Sequence, residues 1–241
     1  MSSSSQLGRI VLVTGASRGI GRSVSLALAA EGAHVIAVAR TVGGLEELDD
    51  AIRRAGGSAT LVPLDLKDYS GIDRMGAAIF ERWGRLDALF GNAGILGTLS
   101  PVTHLQPSVW DDLLAVNLTA NWRLIRALDP LLRLSEAGRA LFVSSAVARL
   151  NRPFWGGYAI SKAALEMLVQ TYAAELAGSM VVANLLNPGP TRTRMRAEAM
   201  PGEDPMTLPA PEELTPLILE LLSPQCTDNG QLFAFKRPAA G

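Results

Sequence analysis

The sequence predicts an α/β domain of doubly wound architecture, and three observations carry that prediction. Short apolar runs alternate with longer helical patterns along most of the chain. Each run is Leu-rich or β-branched and bounded by Gly, Asp, Asn or Pro, the composition of a strand buried on both faces. The 241 residues are 48% hydrophobic yet only 5% aromatic, which suits small, closely packed helices on a sheet better than an all-β sandwich.

Seven strands are predicted, at residues 9–14, 34–39, 60–64, 86–90, 140–144, 181–186 and 231–235. After the first, Ile20, Val24, Ala27 and Leu28 recur at helical spacing and Gly32 supplies a stop. Between the fifth and sixth, Leu165, Leu168, Tyr172 and Leu176 do the same. Strand, helix and strand repeated in this way imply right-handed crossovers, and therefore a parallel sheet with helices on both faces. The length is within reach of one α/β unit and no linker or internal repeat divides it, so residues 1–241 are read as a single domain. Only 195–213 breaks the rhythm, with Pro201, Pro205, Pro209 and Pro211, three methionines and mixed charge. It reads as a long loop or a mobile pair of short helices. Because it directly follows the strand end Asn187-Pro188-Gly189, and ligands of open α/β sheets bind at the strands' carboxyl ends, it is expected to be a mobile substrate lid.

Composition excludes several partners. With 22 basic and 23 acidic residues the net charge is -1, so no overall field recruits nucleic acid or a membrane surface, and a small molecule is the expected partner. A lone Cys226 forms no internal disulfide, and with His34 and His104 it does not make a metal site of usual spacing; no metal is expected. The Ser-rich start lacks a basic n-region and an apolar h-region, and no run reaches the ~18 apolar residues of a membrane span, so a soluble, cytoplasmic protein is expected.

Chemistry gathers at the predicted strand ends. The first strand runs into Thr14-Gly15-Ala16-Ser17-Arg18-Gly19-Ile20-Gly21, which opens a helix. Glycines there let the backbone approach a pyrophosphate held by unpaired helix N–H groups, so a dinucleotide is the natural ligand. The spacing G-x-x-x-G-x-G differs from the commoner G-x-G-x-x-G. At the end of the second strand a carboxylate would bind ribose hydroxyls and repel a 2′-phosphate; this chain has Arg40-Thr41 instead, and no acid until Glu46. The guanidinium forks of Arg40 and Arg18 suit a phosphate, which favours NADP over NAD. Tyr158 and Lys162 stand four apart at a helix start and share a face, so the ammonium is expected to draw the phenol's pKa toward neutrality. Ser145, at the end of the fifth strand, can hydrogen-bond an oxygen where charge develops. Asn117 interrupts an apolar helical pattern in which Asn is a poor helix former, so something should compensate for it, either core hydrogen bonding or a functional role. A serine-hydrolase reading fails, because G-x-S-x-G is missing and neither His follows a candidate Ser in triad order.

In T-G-x-x-x-G-I-G at the turn, and in the order Asn117, Ser145, Tyr158 and Lys162, the sequence resembles the short-chain dehydrogenase/reductase family over about residues 9–222. The resemblance implies a Rossmann fold with strand order 3-2-1-4-5-6-7 and NADP(H)-dependent interconversion of a carbonyl and a secondary alcohol by hydride transfer. Tyr158 would be the acid, Ser145 the oxygen-orienting serine beside a structural Ser144, and Lys162 a ribose ligand. Asn117 would hold a water in the proton relay. Cofactor contacts would come from Gly15, Ser17, Arg18, Gly19, Ile20, Gly21 and Arg40, with Asp65 and Leu66 at the adenine, although Asp65 could simply end its strand. Asn92, Ala93 and Gly94 match the family's N-A-G, and Pro188, Gly189, Thr191 and Thr193 its nicotinamide-binding segment. Leu96, Leu150, Phe154, Trp155 and Met195 are either substrate pocket or ordinary packing. Such proteins are homo-oligomers; a homodimer through the helices bearing Asn117 and Tyr158 is expected, and the departure at 236–241 leaves a homotetramer open. The lid resembles that of a subgroup of poorly characterised bacterial oxidoreductases. A cofactor-binding regulator or scaffold without turnover is the alternative.

Overall fold

The alternating runs pair into one wholly parallel sheet in the order β3-β2-β1-β4-β5-β6-β7, seen in a computed structural model that describes residues 6–237. The strands are β1 (Ile10–Thr14), β2 (His34–Ala39), β3 (Ser58–Pro63), β4 (Ala88–Gly91), β5 (Arg139–Val143), β6 (Val182–Asn187) and β7 (Leu232–Ala234). In every strand but β2 the boundaries lie one or two residues from expectation. β3 starts earlier, because Ser58 and Ala59, weak strand formers, are carried into register opposite His34 and Val35. β7 keeps only three residues, at the sheet's outer edge. The ends of the expected domain, 1–5 and 238–241, the latter part of the C-terminal departure, lie outside the described residues.

Helices α1 (Gly19–Ala30), α2 (Val42–Arg54), α3 (Tyr69–Trp83), α4 (Pro107–Leu114), α5 (Ala120–Leu132), α6 (Gly156–Glu175), α7 (Arg194–Ala199) and α8 (Thr215–Leu221) cover the sheet. The strands' two-residue period divides their side chains between two cores. Leu12, Ile36, Leu89 and Phe142 pack beneath α3, α5 and α6, while Val11, Val35, Phe90 and Leu141 pack beneath α1, α2 and α8. A third, smaller cluster stands at the carboxyl edge, where Leu96, Leu113, Val147, Trp155 and Tyr158 meet Met195, Ala199 and Met200. The 195–213 stretch is thus one short helix, α7, followed by single turns at Pro205–Thr207 and Pro211–Leu214. Ser23 of α1 anchors its far end through Glu212 at 2.7 Å. Among the described residues no helix is long and apolar enough to cross a membrane.

Opposite the glycine turn, the amino edge of the sheet is closed by Asp87. Its buried carboxylate accepts from the Ile10 amide at 2.8 Å, the Ser135 hydroxyl at 2.6 Å and Arg85 Nε at 3.1 Å. Asp87→Ala should strand that amide and hydroxyl. Urea denaturation should show a loss of about 2–4 kcal/mol with an unchanged m-value.

Candidate active site

The carboxyl edge opens into a cleft of about 650 Å³ that runs from the glycine turn to α7. Its cofactor-sized end is shaped by three glycines with different tasks. Gly15 and Gly19 have φ of 66° and 54°, the left-handed region in which a side chain is strained. Gly21 is helical, but a Cβ there would collide with the Gly15 carbonyl and lie 2.6 Å from Asn92 Nδ2. The unusual spacing therefore follows from two turn glycines and one contact glycine. Arg18 precedes α1 without capping it through its side chain, which leaves the first N–H groups of the helix directed at the cleft. These groups and the absent side chains fit a pyrophosphate.

Asn92 ties this turn to β4. Its amide N–H donates to Thr14 Oγ1 and its Nδ2 to the Thr14 carbonyl, both at 3.0 Å. The Ala93 N–H donates to the same hydroxyl at 3.0 Å. At the end of β2, Arg40 is exposed and lies 3.8 Å from Asp65, a loose surface pair of little energy. Asp65, two residues beyond the end of β3, also accepts from the Lys67 N–H at 2.9 Å and lines the cleft. Ser17, Ile20, Leu66 and Thr41 share that wall; Thr41 was not singled out by sequence.

The four expected reacting residues come from three elements: Asn117 from the turn before α5, Ser145 from just beyond the end of β5, and Tyr158 and Lys162 from α6. Asn117 lies in a widened π-turn, Ala115–Thr119, between α4 and α5, which gives a local reason for a poor helix former at that place. Its Nδ2 donates to the Ile95 carbonyl at 2.9 Å and to Ser161 Oγ at 3.0 Å, and its Oδ1 accepts from the Ile95 N–H at 2.9 Å. Asn121 Nδ2 donates to the Asn117 carbonyl at 2.9 Å. The side-chain N–H groups are therefore occupied by protein. A Cβ at Gly94 would lie 3.2 Å from Asn117 Oδ1 and 3.5 Å from Lys162 Nζ, so glycine keeps the space between them open.

Lys162 is buried, and its Nζ donates to the Val143 carbonyl at 2.8 Å. Ser144 is buried and donates to Glu166 Oε1 at 2.6 Å, while Arg149 Nε binds Oε2 of the same carboxylate at 2.7 Å. Glu166 thus clamps the end of β5 to α6 and leaves the adjacent Ser145 facing the cleft. Sequence reading passed over Glu166; the available signal was an acid one turn after Lys162 on the helix face that must be buried. Tyr158 lies against the Trp155 ring edge, with centroids 6.3 Å apart, and the Lys162 ammonium is 5.9 Å from the phenol ring centre.

Burial corrects one expectation. It raises the Tyr158 phenol to about 12, although a hydrogen bond with Ser145 pulls the other way. The same burial lowers Lys162 to about 8. In the protein alone, loss of hydration disfavours both charged forms and exceeds any attraction between them. The segment after β6 is compact: Thr191 Oγ1 donates to the Pro188 carbonyl at 3.2 Å, and Thr193 Oγ1 caps α7 by accepting from the Arg196 N–H at 3.2 Å. Pro188, Gly189, Thr191 and Thr193 all line the cleft. Leu96, Leu150, Trp155 and Met195 line it as well, whereas Phe154, at a φ of 72°, is exposed outside it.

The sequence matches the family model described as short chain dehydrogenase over residues 9–204. It is 41% identical over 217 residues to the uncharacterized oxidoreductase YciK of Escherichia coli K12, covering 89% of this chain and 86% of that protein. An uncharacterized NAD-dependent oxidoreductase of Mycobacterium tuberculosis is 35% identical over 208 residues, covering 80% of this chain and 75% of its own length. Among solved structures, a short chain dehydrogenase from Escherichia coli CFT073 complexed with NADPH superposes with a TM-score of 0.90 at 38% identity, covering 96% of this chain and 98% of that one. Sequence, strand order and cleft agree: the chain belongs to the short chain dehydrogenase family of oxidoreductases.

Proposed function

We propose that the protein is an NADP(H)-dependent oxidoreductase that interconverts a carbonyl and a secondary alcohol. The observation that carries this reading is the convergence of Ser145, Tyr158 and Lys162 on the cleft that the glycine turn opens. The nicotinamide supplies or accepts the hydride when bound. In the reducing direction the Tyr158 hydroxyl gives its proton to the substrate oxygen as that oxygen gains charge, and the phenol raised by burial is fully protonated for the task at neutral pH. Ser145 donates a hydrogen bond to the same oxygen and fixes its position. Lys162 serves the ribose and restores the tyrosine's proton, through the open space beside Gly94 and Asn117 Oδ1. Asn117 itself is chiefly the fastening of that space, because its N–H groups are occupied. Gly15, Ser17, Arg18, Gly19, Ile20 and Gly21 hold the pyrophosphate, and Asp65 and Leu66 meet the adenine. Asn92, Ala93, Gly94, Pro188, Gly189, Thr191 and Thr193 complete the cofactor wall. The preference for NADP rests on Arg18 and Arg40 and on the absence of an acid at the β2 end; the NADPH held by the Escherichia coli CFT073 structure is consistent with it. Residues 195–213 act as a lid, supported by the contact of Met195, Ala199 and Met200 with the Tyr158 cluster. The working unit is a homo-oligomer acting on a small molecule.

Three outcomes test this reading. Tyr158→Phe should abolish carbonyl reduction while NADPH affinity, measured by fluorescence titration, changes little; retained turnover would sink the scheme. Arg40→Asp should shift the ratio of kcat/KM for NADPH over NADH toward NADH by about tenfold or more, because it exchanges a phosphate fork for a repelling carboxylate. The third concerns pH. A lysine whose folded pKa is about 8 binds fewer protons in the native state than in the unfolded state up to the ordinary lysine range, so stability rises with pH across that window. Above pH 10 the raised tyrosine reverses the slope. Lys162→Met should therefore remove the alkaline rise of the cofactor-free protein and stabilise it near pH 7 by on the order of 2–3 kcal/mol in urea denaturation.

A further inference from the structure

The charged groups that line the cleft are unevenly satisfied. Arg194 is paired with Glu198 at 2.8 Å, Arg196 with Glu203 at 2.6 and 2.7 Å, and Arg40 loosely with Asp65 at 3.8 Å. Among the described residues, two guanidinium groups lining the cleft have no carboxylate within ion-pair distance. One is Arg18, at the glycine turn. The other is Arg152, at the opposite end, on the turn that leads into α6.

Arg152 is held but not neutralised. Its guanidinium lies over the Trp155 ring at 5.0 Å, and Nη2 reaches Met200 Sδ at 4.0 Å, so an aromatic face and a thioether are its side-chain partners. Stacking on an aromatic face steadies a guanidinium while leaving its in-plane N–H fork open. The wall next to it is apolar: Leu96, Val147, Leu150, Trp155, Met195 and Ala199 surround the substrate end. Tyr158 closes the inner side of this chamber, and the Trp155 ring edge joins the phenol to the arginine stack.

We propose that the substrate is an apolar ketone or aldehyde bearing a carboxylate, and that Arg152 binds this carboxylate while Tyr158 and Ser145 receive the carbonyl. This rests on the hydride-transfer reading and adds the substrate class to it. A neutral carbonyl compound would fill the apolar walls but leave the N–H groups of the fork, apart from the Nη2 contact with Met200 Sδ, to water. A carboxylate completes it with two parallel charge-assisted hydrogen bonds. Arg152 is then a specificity-determining residue that acts mainly through KM, because the carboxylate keeps its charge throughout the reaction.

Benzoylformate, benzoylacetate and benzoylpropionate, each beside its methyl ester, provide the test at saturating NADPH. The wild-type protein should favour the acid of at least one pair by about tenfold or more in kcat/KM, largely through KM. Arg152→Leu should bring that ratio close to one, and Arg152→Lys should restore it in part, because a point charge replaces the fork. Equal rates for acid and ester in every pair, or an acid preference that survives in Arg152→Leu, overturns the proposal. A separate titration of the same acids and esters into the NADP⁺-loaded protein judges the anion site without turnover. Tighter binding of an acid than of its ester, lost in Arg152→Leu, supports the site even if no ketone is reduced, a result that would count against the hydride-transfer reading alone. No tighter binding of any acid overturns the site.

Discussion

The side-chain amide of Asn117 joins three separate parts of the chain at one buried point, and the shape of the cleft depends on that join. It donates to and accepts from the backbone of Ile95, much as a neighbouring strand would, and so extends the order of β4 beyond its last ladder bond. Its remaining N–H reaches Ser161, one residue before Lys162 on α6. A parallel sheet leaves unpaired backbone groups at its carboxyl edge, and burial makes each of them costly by about 1–3 kcal/mol if unmet. Here a side chain meets them. The π-turn is the geometric consequence: the helix widens so that this amide can face the strand, and Asn121 covers the carbonyl that the widening frees.

Burial then sets the chemistry of the groups so placed. Tyr158 and Lys162 sit where water is excluded, which holds the phenol protonated and weakens the hold of the ammonium on its proton. For each the charged form is therefore disfavoured by burial until a charged ligand enters the cleft. Glu166, on the same helix, finds its partners within the fold, Ser144 and Arg149. The contrast shows how one helix carries two kinds of ionisable group: one paired at once by its own fold, and one left to be paired by what binds.

Much of the fold was legible because it follows from local rules. Runs such as residues 10–13 and 140–143 are apolar on both faces, so a buried parallel sheet was the economical reading. Gly15, Gly19 and Gly21 marked the turn, and the order of Asn117, Ser145, Tyr158 and Lys162 marked the site. What escaped depends on tertiary placement. No propensity announces a π-turn, and Asn117 gave only the hint of a polar residue out of place. The Glu166 clamp joins residues far apart in sequence, and Thr193 has a capping role that is visible only once α7 is located. The direction of the Tyr158 shift was misjudged because spacing on a helix shows the nearby ammonium but not the loss of water around both groups. The open fork of Arg152 was invisible for the same reason: whether an arginine has a partner is decided by elements that fold against it.

The arginines of α7 give the proposed lid an electrical character of its own. Arg194 and Arg196 find their carboxylates, Glu198 and Glu203, inside the same short segment. The segment thus carries its countercharges with it and is joined to the fixed wall near the phenol by methionine and alanine contacts. Beyond these two pairs Asp204, Glu212 and Glu213 add negative charge, so residues 194–213 carry a net charge of -3 and a swing of this flap moves that charge across the mouth of the cleft. Its opening rate should therefore depend on ionic strength, as should capture of an anionic ligand on the stationary wall.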